Sequence, residues 1–237
     1  MSDVPLVGGK NASLGEMIQN LSERKICQEK DALKILIEAI KEAGYTPGKD
    51  VSLSLDVAAS SLYKNGKYYL GGKEYTSDDL INFYKQLIDE FPIISIEDAM
   101  AEDDWDGWQK LQKSIGFNTI LIGDDIFVTN KKFIAKGIKN NIANAVLIKP
   151  NQVGTLSATM EAIVLAKQNN WKWIISHRSG ETLDTSIADI AYATNAYGIK
   201  SGAPHQSPTM DPAQDVRRVK YERIAYLDII PPPANNL

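Results

Sequence analysis

The chain has one cysteine, Cys27, in 237 residues. An internal disulfide is therefore excluded and a thiolate zinc site lacks its ligands, which leaves Cys27 as a small apolar residue in a reducing compartment. A basic excess is also missing: 26 Lys and Arg face 30 Asp and Glu, a formal net charge of −4, so the surface is not built to hold nucleic acid or an anionic membrane. No apolar run approaches the roughly 18 residues of a membrane span, and the amino terminus lacks the basic, apolar and small-residue order of a secretory signal. These absences predict a soluble, cytoplasmic protein with no nucleic-acid and no membrane partner, acting on a small anionic metabolite through a local positive site.

What is present is a regular alternation. With 43% hydrophobic residues the chain can bury the core of one large domain with a small appendage. "EKDALKILIEAIKEAGY" (29–45) carries Leu33, Leu36, Ile37 and Ile40 at helical spacing. "VSLSLDVAAS" (51–60) alternates as a strand does. In "YKNGKYYLGGKEYTS" (63–77), Asn65-Gly66 marks a turn, and Ser77 is expected to cap the helix that follows. Beyond Pro92, "PIISIEDAM", "TILIGDDIF", "NAVLIKPNQ", "WKWIISHRSG" and "YGIKSGAP" are short apolar runs that end in polar groups, with helix-length segments between them. Continuous apolar strands joined by helices indicate an α/β fold with a parallel sheet covered on both faces, and no glycine-rich dinucleotide fingerprint follows the first strand. The expectation is an incomplete TIM-type barrel of about six parallel strands with surrounding helices, where a complete barrel has eight.

In such a barrel the reactive groups stand at the carboxyl ends of the strands, here Asp56, Glu97, Asp124, Lys149, His177 and Lys200. Asp56, Glu97 and Asp124 would crowd one rim, and like charges held together need positive compensation. An oxygen-only set without His or Cys favours Mg²⁺ over zinc. Lys149 comes next along the rim, where burial and a neighbouring cation disfavour an ammonium and leave an amine able to take a carbon-bound proton. Its alternative is an ion pair with Asp124 or Glu97. His177, Arg178 and Ser179 offer a cation and hydroxyl cluster suited to phosphate, although His177 alone reads as a satisfied core histidine. Strand alternation is expected to turn Asp125 away from the rim.

The segments "LDVAAS", "SIEDAMAEDDWDGW", "IGDDIFVTN", "LIKPNQVGTL", "ISHRSGET" and "IKSGAP" resemble, in order and spacing, the successive signatures of the enolase barrel. The resemblance implies a hydro-lyase, phosphopyruvate hydratase, which dehydrates 2-phosphoglycerate to phosphoenolpyruvate with Mg²⁺ in glycolysis. It further implies Asp56, Glu97 and Asp124 as magnesium ligands, Lys149 as the base at C2, and His177, Arg178, Ser179 and Lys200 as substrate contacts, with Ser179 also reaching a second magnesium. The barrel domain is then expected over 29–237, truncated at its N-terminal side, and its open sheet edges predict a homodimer or a partner that completes the barrel.

The opening residues depart from this pattern. "VPLVGGKNASLGEMIQNLSERKI" resembles the first residues of phosphoenolpyruvate synthase and pyruvate phosphate dikinase, so residues 1–28 are read as an N-terminal segment short of a full domain. Within it a Gly8-Gly9 turn should lead to a short helix capped by Asn11 or Ser13. Where enolases carry a glycine-rich segment with an acidic group, this chain reads "LSERKICQEK", and neither Glu23 nor Glu29 has the context to be assigned that role. "HQSPTMDPAQ" replaces the family's basic continuation and leaves His205 without a role. The alternative to a hydratase is therefore a non-catalytic enolase-like chain that binds metal or a protein partner.

Overall fold

Six of the apolar runs become parallel strands, each followed by a helix or a turn. The computed structural model describes residues 30–178 and 184–201, with the backbone of 225–226. The Gly8-Gly9 segment, Cys27 and His205 lie outside the described residues. Helix α1 (Asp31–Glu42) precedes strand β1 (Leu53–Asp56). A short antiparallel sheet follows, made of β2 (Tyr63–Lys64), β3 (Lys67–Leu70) and β4 (Lys73–Tyr75). Asn65 and Gly66 turn it with φ of 53° and 79°, the left-handed pair that a tight hairpin requires.

The chain then alternates through α2 (Ser77–Glu90), β5 (Ile93–Glu97), α3 (Trp105–Ile115), β6 (Ile120–Gly123), α4 (Lys131–Asn140) and β7 (Ala145–Ile148). It continues through α5 (Pro150–Val153), α6 (Leu156–Gln168), β8 (Lys172–Ser176), α7 (Ser186–Thr194) and β9 (Gly198–Lys200), and a two-residue β10 (Ala225–Tyr226) pairs parallel to β9. Thr76, not Ser77, caps α2. Its side chain accepts from the Asp79 N–H while Asp79 answers on the Thr76 N–H, and Ser77 instead donates to Asp104 Oδ2 at 2.7 Å. Thr76 and Ser77 are both fit to cap, and the reciprocating acid three residues on selects Thr76.

The large sheet runs β1-β5-β6-β7-β8-β9-β10. From β1 to β9 there are five steps of about 4.8 Å, so a flat sheet would separate them by about 24 Å. Lys200 on β9 nevertheless reaches Asp56 on β1, Nζ to Oδ2 at 2.8 Å. The sheet therefore curls into the incomplete barrel expected from the sequence.

Burial follows strand parity. Ile122, Ala145, Leu147 and Ile174, with Ile120 beside them, form one small cluster inside the curl. Leu121, Val146, Ile148 and Ile175 face the other way and join the main core beneath the helices, with Ala162, Ile163 and Ala166 of α6. All four residues of β7 are buried, as a strand covered on both faces must be. No described helix is long and apolar enough to cross a membrane.

Candidate active site

The parity that fills the inside of the curl also aims the polar groups. Counting in twos along each strand, Ile120 and Ile122 lead to Asp124, Ala145 and Leu147 to Lys149, Gly198 to Lys200, Ser95 to Glu97 and Ser54 to Asp56. Ser54 and Ser95 share that face, their hydroxyl oxygens 2.6 Å apart, and Asp56 pairs in register with Glu97. Five of the residues singled out in the sequence thus meet at one rim.

Two lysines divide the acids between them. Lys200 Nζ donates to Asp56 Oδ2 at 2.8 Å and to Glu97 Oε1 at 2.9 Å. Lys149 pairs with Asp124 Oδ2, the ion pair that was the alternative to its role as a base. Burial works against the Lys200 ammonium, but Glu97 and Asp56 outweigh it and hold its pKa above the ordinary lysine value. Glu97 is 3% exposed. Burial pushes its carboxyl up to about 7; Lys200 opposes the rise, while the negative charges of Asp56 and Asp124 add to it.

Between 4.5 and about 7 the folded chain therefore binds the Glu97 proton more tightly than the unfolded chain does, and stability falls as pH rises through that window. Glu97→Gln is expected to flatten the fall in melting temperature between pH 4.5 and 7 in the absence of divalent cations. Some slope should remain, because Asp98 and Asp125 are raised too, by burial first and by neighbouring carboxylates second. An unchanged slope in the variant would show that Glu97 does not govern it.

Asp98 was not singled out in the sequence. It is buried, sits at φ 44°, and accepts from the backbone N–H of Asp124 at 2.9 Å and of Asp125 at 3.1 Å. Both its oxygens thus steady the turn that presents Asp124. The acidic pair Glu97-Asp98 at one strand end and Asp124-Asp125 at the next was the signal for it. Asp125 is not turned away: Asp98 holds the Asp124 and Asp125 N–H groups in one turn past β6, and the Asp98, Asp124 and Asp125 carboxylates come within 4.8 Å of one another. This group is an oxygen-only donor set of the kind that suits a hard divalent cation, and of the three ligands expected from the sequence it contains Asp124, while Asp56 and Glu97 accept from Lys200 beside it.

Past β8 the His177 N–H donates to Lys200 O at 2.8 Å, and Arg178 Nη1 donates to Asn151 Oδ1 at 3.2 Å. His177 is half-buried and Arg178 exposed. Ser179 lies outside the described residues.

The family model for the enolase C-terminal TIM barrel domain matches residues 15–225. The chain belongs to the enolase family. A curated relative, "Enolase" of Acidothermus cellulolyticus, is 45% identical over 197 residues, 83% of this chain. That alignment takes in 46% of the relative, so the chain spans about half the length of the enolase it matches. Within the described residues, the segments that resemble enolase signatures supply the strand ends that carry Asp56, Glu97, Asp124, Lys149 and Lys200.

Proposed function

We propose that the chain carries the dehydrating half-site of a phosphopyruvate hydratase, acting on 2-phosphoglycerate with Mg²⁺ and yielding phosphoenolpyruvate and water. The observation that supports this best is the rim itself, where the Lys149 and Lys200 side chains stand among Asp56, Glu97 and Asp124 at the strand ends. Asp56, Glu97 and Asp124 would hold Mg²⁺, which when bound stabilises negative charge developing on the substrate carboxylate.

Lys149, when deprotonated, takes the proton from C2, and the electron pair left at C2 forms the C2–C3 double bond as hydroxide departs from C3. The hydroxide takes a proton from solvent to become water, while Lys149 returns its own proton to solvent. Lys200 faces the substrate as a cation, its ammonium fixed by Asp56 and Glu97. Arg178, steadied by Asn151, supplies paired donors for the phosphate, and by the enolase resemblance His177 and Ser179 are further substrate contacts.

Two measurements test this. Purified chain with 2-phosphoglycerate and Mg²⁺ should develop the ultraviolet absorbance of phosphoenolpyruvate. Mg²⁺ should also raise the melting temperature of the wild type and not of Asp124→Ala, since a ligand at about one hundred times its Kd stabilises by about 2.7 kcal/mol. Stabilisation without product would favour the non-catalytic, metal-binding reading. Neither effect would remove both.

A further inference from the structure

We propose that Thr129 and Gln152 are positioning residues that close a ring of hydrogen bonds around Lys149 and Asp124 and fix the base relative to its carboxylate neighbour. The proposal rests on Lys149 acting as the base of the hydratase described above.

The ring begins with a strained turn. Between β6 and α4, Val128 and Thr129 have φ of 42° and 56°, two successive β-branched residues in the left-handed region. Each such residue costs about 1–3 kcal/mol and persists only where its surroundings hold it. Phe127 does the holding: it is fully buried, its ring centroid is 5.4 Å from that of Trp171, and it presses on two glycines. A Cβ on Gly123 or Gly137 would lie 2.3 or 2.5 Å from the Phe127 ring.

Thr129 does not cap the helix that follows this turn. Asn130 caps α4 instead, its Oδ1 accepting from the Lys132 N–H at 2.9 Å. Thr129, fully buried, points its hydroxyl toward the end of β7. There the Lys149 N–H, one residue past the strand, donates to Thr129 Oγ1 at 2.9 Å. With that lone pair engaged, the Thr129 O–H donates to Gln152 Oε1 at 2.5 Å. The Gln152 amide is thereby oriented, and its Nε2 faces Asp124 Oδ1 at 3.5 Å, the longest link. Asp124 closes the ring through Oδ2 to the Lys149 ammonium. Neither Thr129 nor Gln152 has acid or base chemistry to offer, so both act through the pair they hold.

The test uses Thr129→Val, which keeps the shape and drops the hydroxyl, Thr129→Ser, which keeps the hydroxyl, and Gln152→Met at a half-buried position. The whole chain of each is treated with trinitrobenzenesulfonate, the labelling rate of Lys149 is read by peptide mass, and kcat and KM for 2-phosphoglycerate are measured alongside. In Thr129→Val and Gln152→Met, Lys149 should label at least about threefold faster and kcat should fall about tenfold with KM within about twofold, as expected when a reacting group is misplaced. Thr129→Ser should recover most of both losses. Wild-type labelling in Thr129→Val and Gln152→Met overturns the proposal, as does a Thr129→Ser chain no better than Thr129→Val. Should Thr129→Val fail to fold, Gln152→Met decides alone. A wild type without turnover counts against the hydratase assignment, and the labelling comparison still decides the ring.

Discussion

Lys149→Ala is expected to lower kcat for phosphoenolpyruvate formation by about 10²- to 10⁴-fold, the range that a positioned general base contributes. KM should change little, because the proton transfer is made only in the transition state. Alanine also removes the cation paired with Asp124, whose side chain is only 9% exposed. Lys149→Arg separates the two effects: its guanidinium can still pair with Asp124 but does not lose a proton in a protein. An equally inactive arginine variant, folded like the wild type, assigns the loss to the missing base. Turnover within tenfold of wild type in Lys149→Ala would remove Lys149 from that role.

The largest expected loss of stability is at Trp108, far from the reacting groups. Trp108 is fully buried in α3, and its Nε1 donates to Ala101 O at 3.1 Å. Ala101 is also held through its N–H, which donates to Tyr68 Oη at 3.0 Å, while the Tyr68 O–H donates to Asp104 Oδ2 at 2.7 Å. Asp104 in turn caps α3, accepting from the Gly107 N–H at 2.9 Å. Trp108→Ala should cost about 3–5 kcal/mol from the cavity alone. The Ala101 carbonyl keeps a second donor, the Asp104 N–H at 3.1 Å, so loss of the indole bond adds little to the cavity cost. Trp108→Phe keeps most of the apolar volume and should cost clearly less. Urea unfolding midpoints measure both, and a Trp108→Ala loss below about 1.5 kcal/mol would show that the core closes over the gap. The segment pinned in this way leaves β5 directly after Glu97 and Asp98, so the hairpin β2–β4 and α3 brace one side of the rim.

Much of the rim was legible because strand periodicity is a local property. Asp124 follows Ile122 by two and Lys149 follows Leu147 by two, so the chain order alone states that each polar group continues the inward row of its strand. The Asn65-Gly66 turn was legible for a similar reason, since few pairs adopt two left-handed residues in succession. The cap at Thr76 was misplaced by one residue because Thr76 and Ser77 have equal local claims, and the choice lies with Asp79. Asp98 and Thr129 were hidden: their roles depend on acceptance from the backbone of segments 26, 27 and 20 residues away. The doubled acids at 97–98 and 124–125 hint at the first, but nothing near Thr129 announces the second.

The order of apolar runs and polar ends determined, without further help, that this chain builds parallel strands with their reactive side chains at one end. Local sterics and the period of two suffice for that. The curl of the sheet, which brings Lys200 across the four intervening strands to Asp56, came only with tertiary packing, as did the division of Asp56, Glu97 and Asp124 between two lysines. Those pairings join residues 25 to 144 positions apart. Their partners are set by how helices and strands pack, which no short window of sequence contains.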